Sequence, residues 1–177
     1  MLEVLQRAYT LLDTVTPLTV DCGQVCDGRC CQQTADSQGM LLFPGEEELA
    51  HREGFTLIPA DGGTLLVCNG TCKRTERPLS CRLFPLFPVV EEDGRIRAVY
   101  DPRGYRLCPL VRECAHVPLR RDFVRAVRQV GRLLMQDPAC AAFLRAQSEE
   151  IRTLGRLLPQ LTERTPIMRR NIHHNDG

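Results

Sequence analysis

Four cysteines lie within one short segment of this chain, Cys22-Gly-Gln-Val-Cys26-Asp-Gly-Arg-Cys30-Cys31. Thiolates at such close spacing repel one another and oxidise readily unless a soft metal ion takes up their charge. The sequence holds 10 cysteines among its 177 residues, and nearly all of them fall into three groups. Clustering of this kind is typical of zinc or iron–sulfur sites, and it constrains the fold more than any other feature.

A disulfide framework is the alternative explanation, and the cellular compartment decides between the two. The first residues carry an acid at Glu3 and contain no apolar run of signal-peptide length, and charges interrupt every apolar stretch before it could span a membrane. We therefore expect a cytoplasmic protein with reduced thiols and no membrane partner. A chain of this length can also bury its own core without covalent cross-links. These arguments favour metal over disulfides.

The predicted metal ligands come from all three groups of cysteines. Gly23 and Gly28 permit tight turns in the first group. The side chains of Cys30 and Cys31 are adjacent in sequence and should diverge, so we expect one of them to serve a different centre or to reach the same one at an awkward angle. The second group has the spacing C-x3-C-x8-C, and the cysteine of a later Cys-Pro pair completes it. The full set of predicted ligands is Cys22, Cys26, Cys30, Cys31, Cys68, Cys72, Cys81 and Cys108.

The identity of the metal stays open, because all-sulfur ligation suits zinc and iron–sulfur clusters alike. Zinc is the first prediction for the cofactor and a [4Fe-4S] cluster is the alternative. Cys114 is either a ninth ligand or a free thiol, and His116 as a ligand would give a site of three cysteines and one histidine. Arg77 and Arg82 flank Cys81, where positive charge would favour thiolates or allow hydrogen bonds to metal-bound sulfur.

Hydrophobic periodicity and turn signals predict the elements of the first two thirds of the chain. Apolar residues at helical spacing predict a helix over residues 2–13. A second helix should start at Phe43-Pro44-Gly45-Glu46, where acids in the first turn complement the helix dipole. Asp-Gly turn signals predict two hairpins, which pair residues 55–58 with 64–67 and residues 89–90 with 96–100.

From residue 119 onward the pattern becomes helical. One helix carries an apolar stripe on one side and arginines on the other, Phe123, Val127, Val130 and Leu134 against Arg121, Arg125, Arg128 and Arg132. We predict that the arginine face is solvated or contacts a protein partner. Nucleic acid is not expected there, because no aromatic residues alternate with the arginines and the net charge is only +1. Asp137-Pro138 should cap the next helix, 139–158, in which Cys140 behaves as a small apolar residue.

The ordered cysteine groups, together with the motifs between them, resemble a known family. The motifs are the segment 22–31, Phe43-Pro44-Gly45-Glu46-Glu47, the pair Cys68 and Cys72, Arg77-Pro78, and Cys81-Arg82-Leu83-Phe84-Pro85. This order is similar to that of the YkgJ-like cysteine-cluster proteins, which are described as zinc- or iron-chelating, and flagellin lysine N-methylases carry a similar segment. The resemblance covers about residues 20–110 and implies a bound metal. It departs at Lys73-Arg74, where the family commonly has an aromatic or aliphatic pair.

We therefore expect an α+β fold with a small metal-organised cysteine-rich core, short hairpins and two C-terminal amphipathic helices. Residues 1–118 would form the metal-binding domain, 119–160 a helical extension packed on it, and 161–177 a flexible tail in which His173 and His174 give a weak metal signal. Because residues 20–110 look poor in apolar surface, their folding should require the metal. The predicted function is chelation of zinc or an iron–sulfur cluster. The alternative is an iron–sulfur enzyme or enzyme subunit in redox or protein methyl-transfer chemistry, although no familiar catalytic motif is present.

Overall fold

The computed structural model describes residues 1–31, 39–50, 52–70, 72–113 and 117–158. Within these residues the helices are α1 (Leu2–Leu11), α2 (Cys22–Val25), α3 (Leu79–Leu83), α4 (Pro109–Arg112), α5 (Arg121–Leu134) and α6 (Pro138–Leu157). The strands are β1 (Met40–Leu41), β2 (Phe55–Ala60), β3 (Gly63–Cys68), β4 (Leu86–Val90) and β5 (Ile96–Tyr100). No helix in the described part of the chain has both the length and the apolar character needed to cross a bilayer.

The strands form two small antiparallel sheets. In the first, β3 lies between β1 and β2, with Phe55 opposite Cys68 at one end of the β2–β3 hairpin and Ala60 opposite Gly63 at the other. In the second, β4 pairs with β5, so that Val90 lies opposite Ile96. Both predicted hairpins are confirmed, and so is the α+β class.

The main core lies where α1, α5 and α6 pack around the β4–β5 hairpin. The apolar stripe of α5 is buried as predicted, with Phe123 and Val127 fully inaccessible to solvent. Gly131 allows this helix to approach the hairpin closely, because a Cβ atom at that position would lie 2.6 Å from Ile96 Cγ2 and 2.7 Å from Pro88 Cβ. The amphipathic helix therefore docks by its backbone as well as by its apolar side chains.

Helix α6 begins and packs as its sequence predicts. The Asp137 carboxylate accepts hydrogen bonds from the backbone N–H groups of Ala139 and Cys140, at 3.0 and 3.1 Å, which caps the helix. Cys140 is fully buried in the main core, which confirms its apolar role. Ser148, also fully buried, accepts a 2.9 Å hydrogen bond from the N–H of Val90 and so ties α6 to β4.

The core of the described residues is hydrophobic, and a core organised by metal is not seen in it. The main cluster takes in Leu79, Leu83 and Leu86, which lie inside the segment that we expected to be poor in apolar surface. That expectation is wrong for residues 79–111, because this part of the chain packs directly against α1, α5 and α6. A second, much smaller apolar cluster of Leu42, Ala50 and Leu66 lies under the first sheet.

The helix expected from residue 43 is wrong. The structure has only a 3-10 turn at Glu46–Glu48, preceded by Gly45 in the left-handed region at φ 80°. Glu46 is fully buried instead of lying in an exposed first turn. Several other predictions fall outside the described residues and concern Cys114, His116, His173, His174 and the tail 161–177.

Candidate thiol site

The first cysteine group folds into a compact loop around α2. Asp21 caps this helix by accepting a 3.2 Å hydrogen bond from the N–H of Gly23. The thiol of Cys26 then donates to the carbonyl oxygen of Cys22 over 3.5 Å. Asp27 and Gly28 follow with φ of 53° and 61°, a left-handed turn that folds the chain back before Cys30 and Cys31.

The second group approaches the first through the loop that follows β3. Cys68 ends β3 and Cys81 lies on α3. Gly70 has φ of 81°, and a Cβ atom there would lie 3.0 Å from the carbonyl oxygen of Cys31. The two cysteine segments are therefore in direct backbone contact, and only glycine fits at the point where they meet.

An ion pair links the same two segments. Both guanidinium nitrogens of Arg77 donate to the carboxylate of Asp21, each at 2.9 Å, with the side chains 17 % and 22 % exposed. Burial alone would raise the pKa of Asp21, but the hydrogen bonds from Arg77 and Gly23 outweigh it and lower that pKa. The positive charge of Arg77 also acts on the thiols of Cys31 and Cys72, so it lies within the cysteine groups.

Four of the thiols, three from the first cysteine group and that of Cys108, interact electrostatically with one another. Burial raises the pKa of Cys22 to about 11, and the charges of Asp21, Cys108 and Cys26 add to that effect. Burial likewise raises the pKa of Cys108, which is only 7 % exposed and interacts with Cys26. The pKa of Cys30 is raised by its hydrogen bond with Cys31, then by burial and by the charges of Cys108 and Cys22. The first set of thiols is therefore Cys22, Cys26, Cys30 and Cys108. The expectation that Cys108 completes the second cysteine group is wrong, because its thiol interacts with those of the first.

Four other interacting thiols lie on the side of α3. Burial raises the pKa of Cys72, and the charges of Cys31 and Cys68 raise it further. The pKa of Cys81 is raised well above its ordinary value by burial and by the same neighbours together with Cys72. The second set of thiols is therefore Cys31, Cys68, Cys72 and Cys81.

Cys30 and Cys31 join the two sets. Their sulfur atoms lie 3.9 Å apart, close to the roughly 3.8 Å that separates two sulfurs on a tetrahedral zinc ion with bonds of about 2.3 Å. The expectation that these adjacent side chains diverge is therefore wrong. Because Cys30 hydrogen-bonds Cys31, the pKa of Cys31 is lowered, and the nearby Arg77 guanidinium acts in the same direction against burial.

The eight predicted ligands are thus neighbours, but they do not form a closed coordination sphere. No three histidine, cysteine, aspartate or glutamate side chains within the described residues are placed so that they could hold a metal ion. The nine described cysteines are reduced thiols, and Cys140 lies apart from the eight, in the core. A donor set made of thiols suits a soft ion, and holding one would require the side chains to draw together.

Sequence reasoning missed Glu46, which lies beneath the second set of thiols. Its carboxylate accepts hydrogen bonds from the hydroxyl of Tyr9 and from the backbone N–H groups of Leu79 and of Phe43, the last at 2.9 Å. Burial raises its pKa against these hydrogen bonds, and its charge acts on Cys81. The Pro-Gly pair before it is a turn signal that could have argued against a helix.

The two arginines that flank Cys81 have different roles. Arg77 lies among the thiols as expected. Arg82 is 5 % exposed and donates instead to the carbonyl oxygens of Arg77 and Thr75, at 3.0 and 2.8 Å, while its guanidinium lies 4.6 Å from the ring centroid of Tyr9. Only the first of the pair is therefore placed to stabilise thiolates.

A cavity of about 320 Å³ opens beside the first set of thiols. Cys30 contributes to its wall, together with residues of β1, β3, β4 and α6. The thiol site is therefore adjacent to a space that could admit a small molecule.

No protein-family model, no curated protein and no solved structure matches this chain. The similarity to the YkgJ-like proteins therefore rests on the order of the cysteines and the motifs between them.

Proposed function

We propose that this chain is a cytoplasmic metal-binding protein in which the two sets of thiols chelate zinc or, alternatively, an iron–sulfur cluster. One observation carries the proposal: segments far apart in sequence bring eight thiols into two interacting sets, which meet where the sulfur atoms of Cys30 and Cys31 lie 3.9 Å apart. A thiol cluster without a ligand would gain nothing from this crowding, because each buried thiolate raises the pKa of its neighbours. A soft cation would reverse that penalty.

The residues would act in two ways. The eight cysteines would supply the ligands, and most of them, having raised pKa values, would release protons as the metal binds. Arg77 would stay beside the thiolates, where its positive charge would offset their negative charge. Asp21 holds that guanidinium in place through two hydrogen bonds.

Membership of the YkgJ-like family is part of the same proposal. It is supported by the cysteine order and by the positions of two family-like motifs. The Phe43-Pro44-Gly45-Glu46 motif forms the turn under the second set, and Arg77 of the Arg-Pro motif lies among the thiols. These motifs therefore have roles in assembling the cluster, which is the property the family name describes.

The second candidate function is an iron–sulfur enzyme or enzyme subunit, and the cavity beside Cys30 favours it. A purely structural metal site is closed by its ligands, whereas a catalytic site needs room for a substrate. Visible absorption of the anaerobically purified protein would support the iron–sulfur form. A colourless protein that carries zinc would contradict it.

The proposal is tested by measuring metal per protein in the full chain after anaerobic purification. Cys22→Ser removes a thiol of the first set and Cys81→Ser one of the second, and each should lower the metal content. Cys140→Ala is the matched control, because this buried cysteine lies outside both sets and should leave the metal content unchanged. Metal-free wild-type protein, or full occupancy in both serine variants, would contradict the proposal.

A further inference from the structure

The cavity beside the thiol site has walls that are mainly apolar. Leu41, Leu65 and Leu107 line it together with the aromatic side chains of Phe84, Phe87 and Phe143. Its volume of about 320 Å³ falls within the range of small-molecule pockets, roughly 300–1,000 Å³. A ligand that fills it must therefore bury an apolar body.

Among the described residues that line the cavity there is one arginine, and its charge is already neutralised. Arg103 donates from Nε to Asp101 Oδ1 at 2.9 Å and from Nη2 to Oδ2 at 2.7 Å, and it also donates to Gln147. Asp101 is 6 % exposed and Gln147 is 7 % exposed. Because the buried side chains of Asp101 and Gln147 accept hydrogen bonds from most of the guanidinium N–H groups, an anionic ligand would find little unpaired positive charge there.

Two further carboxylates line the cavity and leave it net negative. Asp61 lies in the turn of the β2–β3 hairpin and is exposed. Glu150, on α6, is 49 % exposed and forms an ion pair with Arg103 Nη1 at 3.8 Å, too long for a hydrogen bond. The single guanidinium thus faces three carboxylates, so two negative charges remain uncompensated among the described residues that line the apolar space.

We propose that this cavity binds a small organic amine, with its apolar body between the aromatic walls and its ammonium group at the carboxylate rim. A hydrated metal cation would match the charge but not the apolar walls, because dehydration against hydrocarbon is costly. A carboxylate or phosphate ligand would be repelled by the carboxylates of the rim, and it would find the Arg103 guanidinium already paired. An amine with an aromatic or branched aliphatic body satisfies both requirements.

This inference goes beyond the proposed metal site and does not depend on it. Cys30 is the only residue that the cavity shares with the eight thiols, and the proposed ammonium position lies among carboxylates contributed by a hairpin turn and by α6. A ligand in the cavity would place its body next to the first set of thiols. If the cysteine variants lost their metal, the cavity should still prefer an amine to a neutral ligand of the same shape.

Three probes of similar shape and different charge test the proposal: benzylamine, benzyl alcohol and benzoate. Each is titrated into the full chain, as purified, and followed by chemical-shift changes. Benzylamine should bind about three to five times more tightly than benzyl alcohol, the gain typical of a partly exposed ion pair, and benzoate should bind most weakly. Equal binding of all three, a preference for benzoate, or no binding of benzylamine would overturn the proposal.

Two neighbouring carboxylates of α6 provide a matched pair of variants. Glu150→Gln removes a charge at the rim and should reduce the preference for benzylamine over benzyl alcohol. Glu149→Gln should retain that preference, because Glu149 does not line the cavity and its carboxylate pairs with Arg152 at 2.9 Å. An unchanged preference in Glu150→Gln would show that the amine is not held at this rim.

A third variant tests the apolar part of the cavity. Leu107→Trp places a larger side chain at a half-buried position of the wall, so both benzylamine and benzyl alcohol should bind more weakly. Near-ultraviolet and far-ultraviolet circular dichroism check that the variant is folded. Undiminished binding of both probes in a folded variant would place them elsewhere on the protein and refute the proposal.

Discussion

Two regions of this molecule are held together by different forces. The apolar half comprises α1, α5, α6, β4 and β5, and it buries long apolar side chains completely, among them Leu134 and Leu144. The thiol half comprises residues 21–31 and 68–78 without the undescribed residue 71, together with Cys81 and Cys108. In it, α2 buries none of its side chains, and an ion pair and close backbone contacts join the segments. Hydrophobic burial can fold the first half alone, whereas the first cysteine loop has too little of it to do so.

The largest expected effect is that of metal removal, and it should be confined to the thiol half. If the proposed chelation is right, the ligand contributes a free energy on the order of 10 kcal/mol that the first cysteine loop cannot replace. Chelation should therefore abolish amide hydrogen-exchange protection in residues 22–31, whereas the amides of α5 keep theirs. Exchange measured by mass spectrometry on holo and chelated protein checks this.

Either of two outcomes would contradict that comparison. Equal protection of residues 22–31 before and after chelation would mean that the loop is stable without metal. Simultaneous loss of protection in α5 would mean that the two halves fold as one metal-dependent unit.

A large truncation in the apolar half is expected to have the next largest effect. Phe123→Ala removes a fully buried ring from the face of α5, which should destabilise the protein by about 3–5 kcal/mol. The loss should be nearly the same with and without metal, because α5 carries none of the proposed metal ligands. Denaturant unfolding followed by circular dichroism measures it. If Phe123→Ala did not destabilise the metal-bound protein, the two halves would not be held together by different forces.

Glu46 lies at the boundary between the halves, so its replacement should affect both. In Glu46→Gln the amide nitrogen would face a backbone N–H group or the Tyr9 hydroxyl, and a buried donor would be left unsatisfied. We expect a loss of about 2 kcal/mol in the free energy of unfolding. Glu48→Gln is the control, because this residue of the same turn is exposed and its replacement should leave stability unchanged. Equal effects of the two substitutions would refute this role.

The smallest expected effect is at the ion pair that joins the two cysteine segments. Asp21→Asn removes the charge that holds Arg77, so the guanidinium loses its position beside Cys72. We expect metal affinity to fall about tenfold, as for other residues that orient metal ligands, with little change in the melting temperature. Competition with a chromogenic chelator gives the affinity, and Asp93→Asn, in an exposed turn ion pair, is the control. An unchanged affinity would show that the pair is only structural.

Much of the fold follows from local sequence patterns. The helix period of Phe123, Val127 and Val130 predicts the buried face of α5, and Asp137-Pro138 predicts the start of α6, because periodicity and capping are set by residues within a few positions of one another. The Asp-Gly turns predict both hairpins for the same reason. The sequence also predicts that the early cysteine groups lie near one another, since their spacing and chemistry are visible in it. It assigns Cys108 to the second group, however, whereas in the structure this thiol lies with the first.

Tertiary structure alone decided how those local elements interact. The turn at Glu46 replaces a predicted helix because its carboxylate binds the Tyr9 hydroxyl and the backbone N–H of Leu79, which are both more than 30 residues away in sequence. The side chains of Cys30 and Cys31 lie close together because the turn at Gly28 and the loop at Gly70 pack around this segment. Residues 79–111 join the apolar core because α5 reaches the hairpin through Gly131. Local patterns determine elements, whereas buried partners from remote segments determine which polar groups are satisfied and which surfaces are covered.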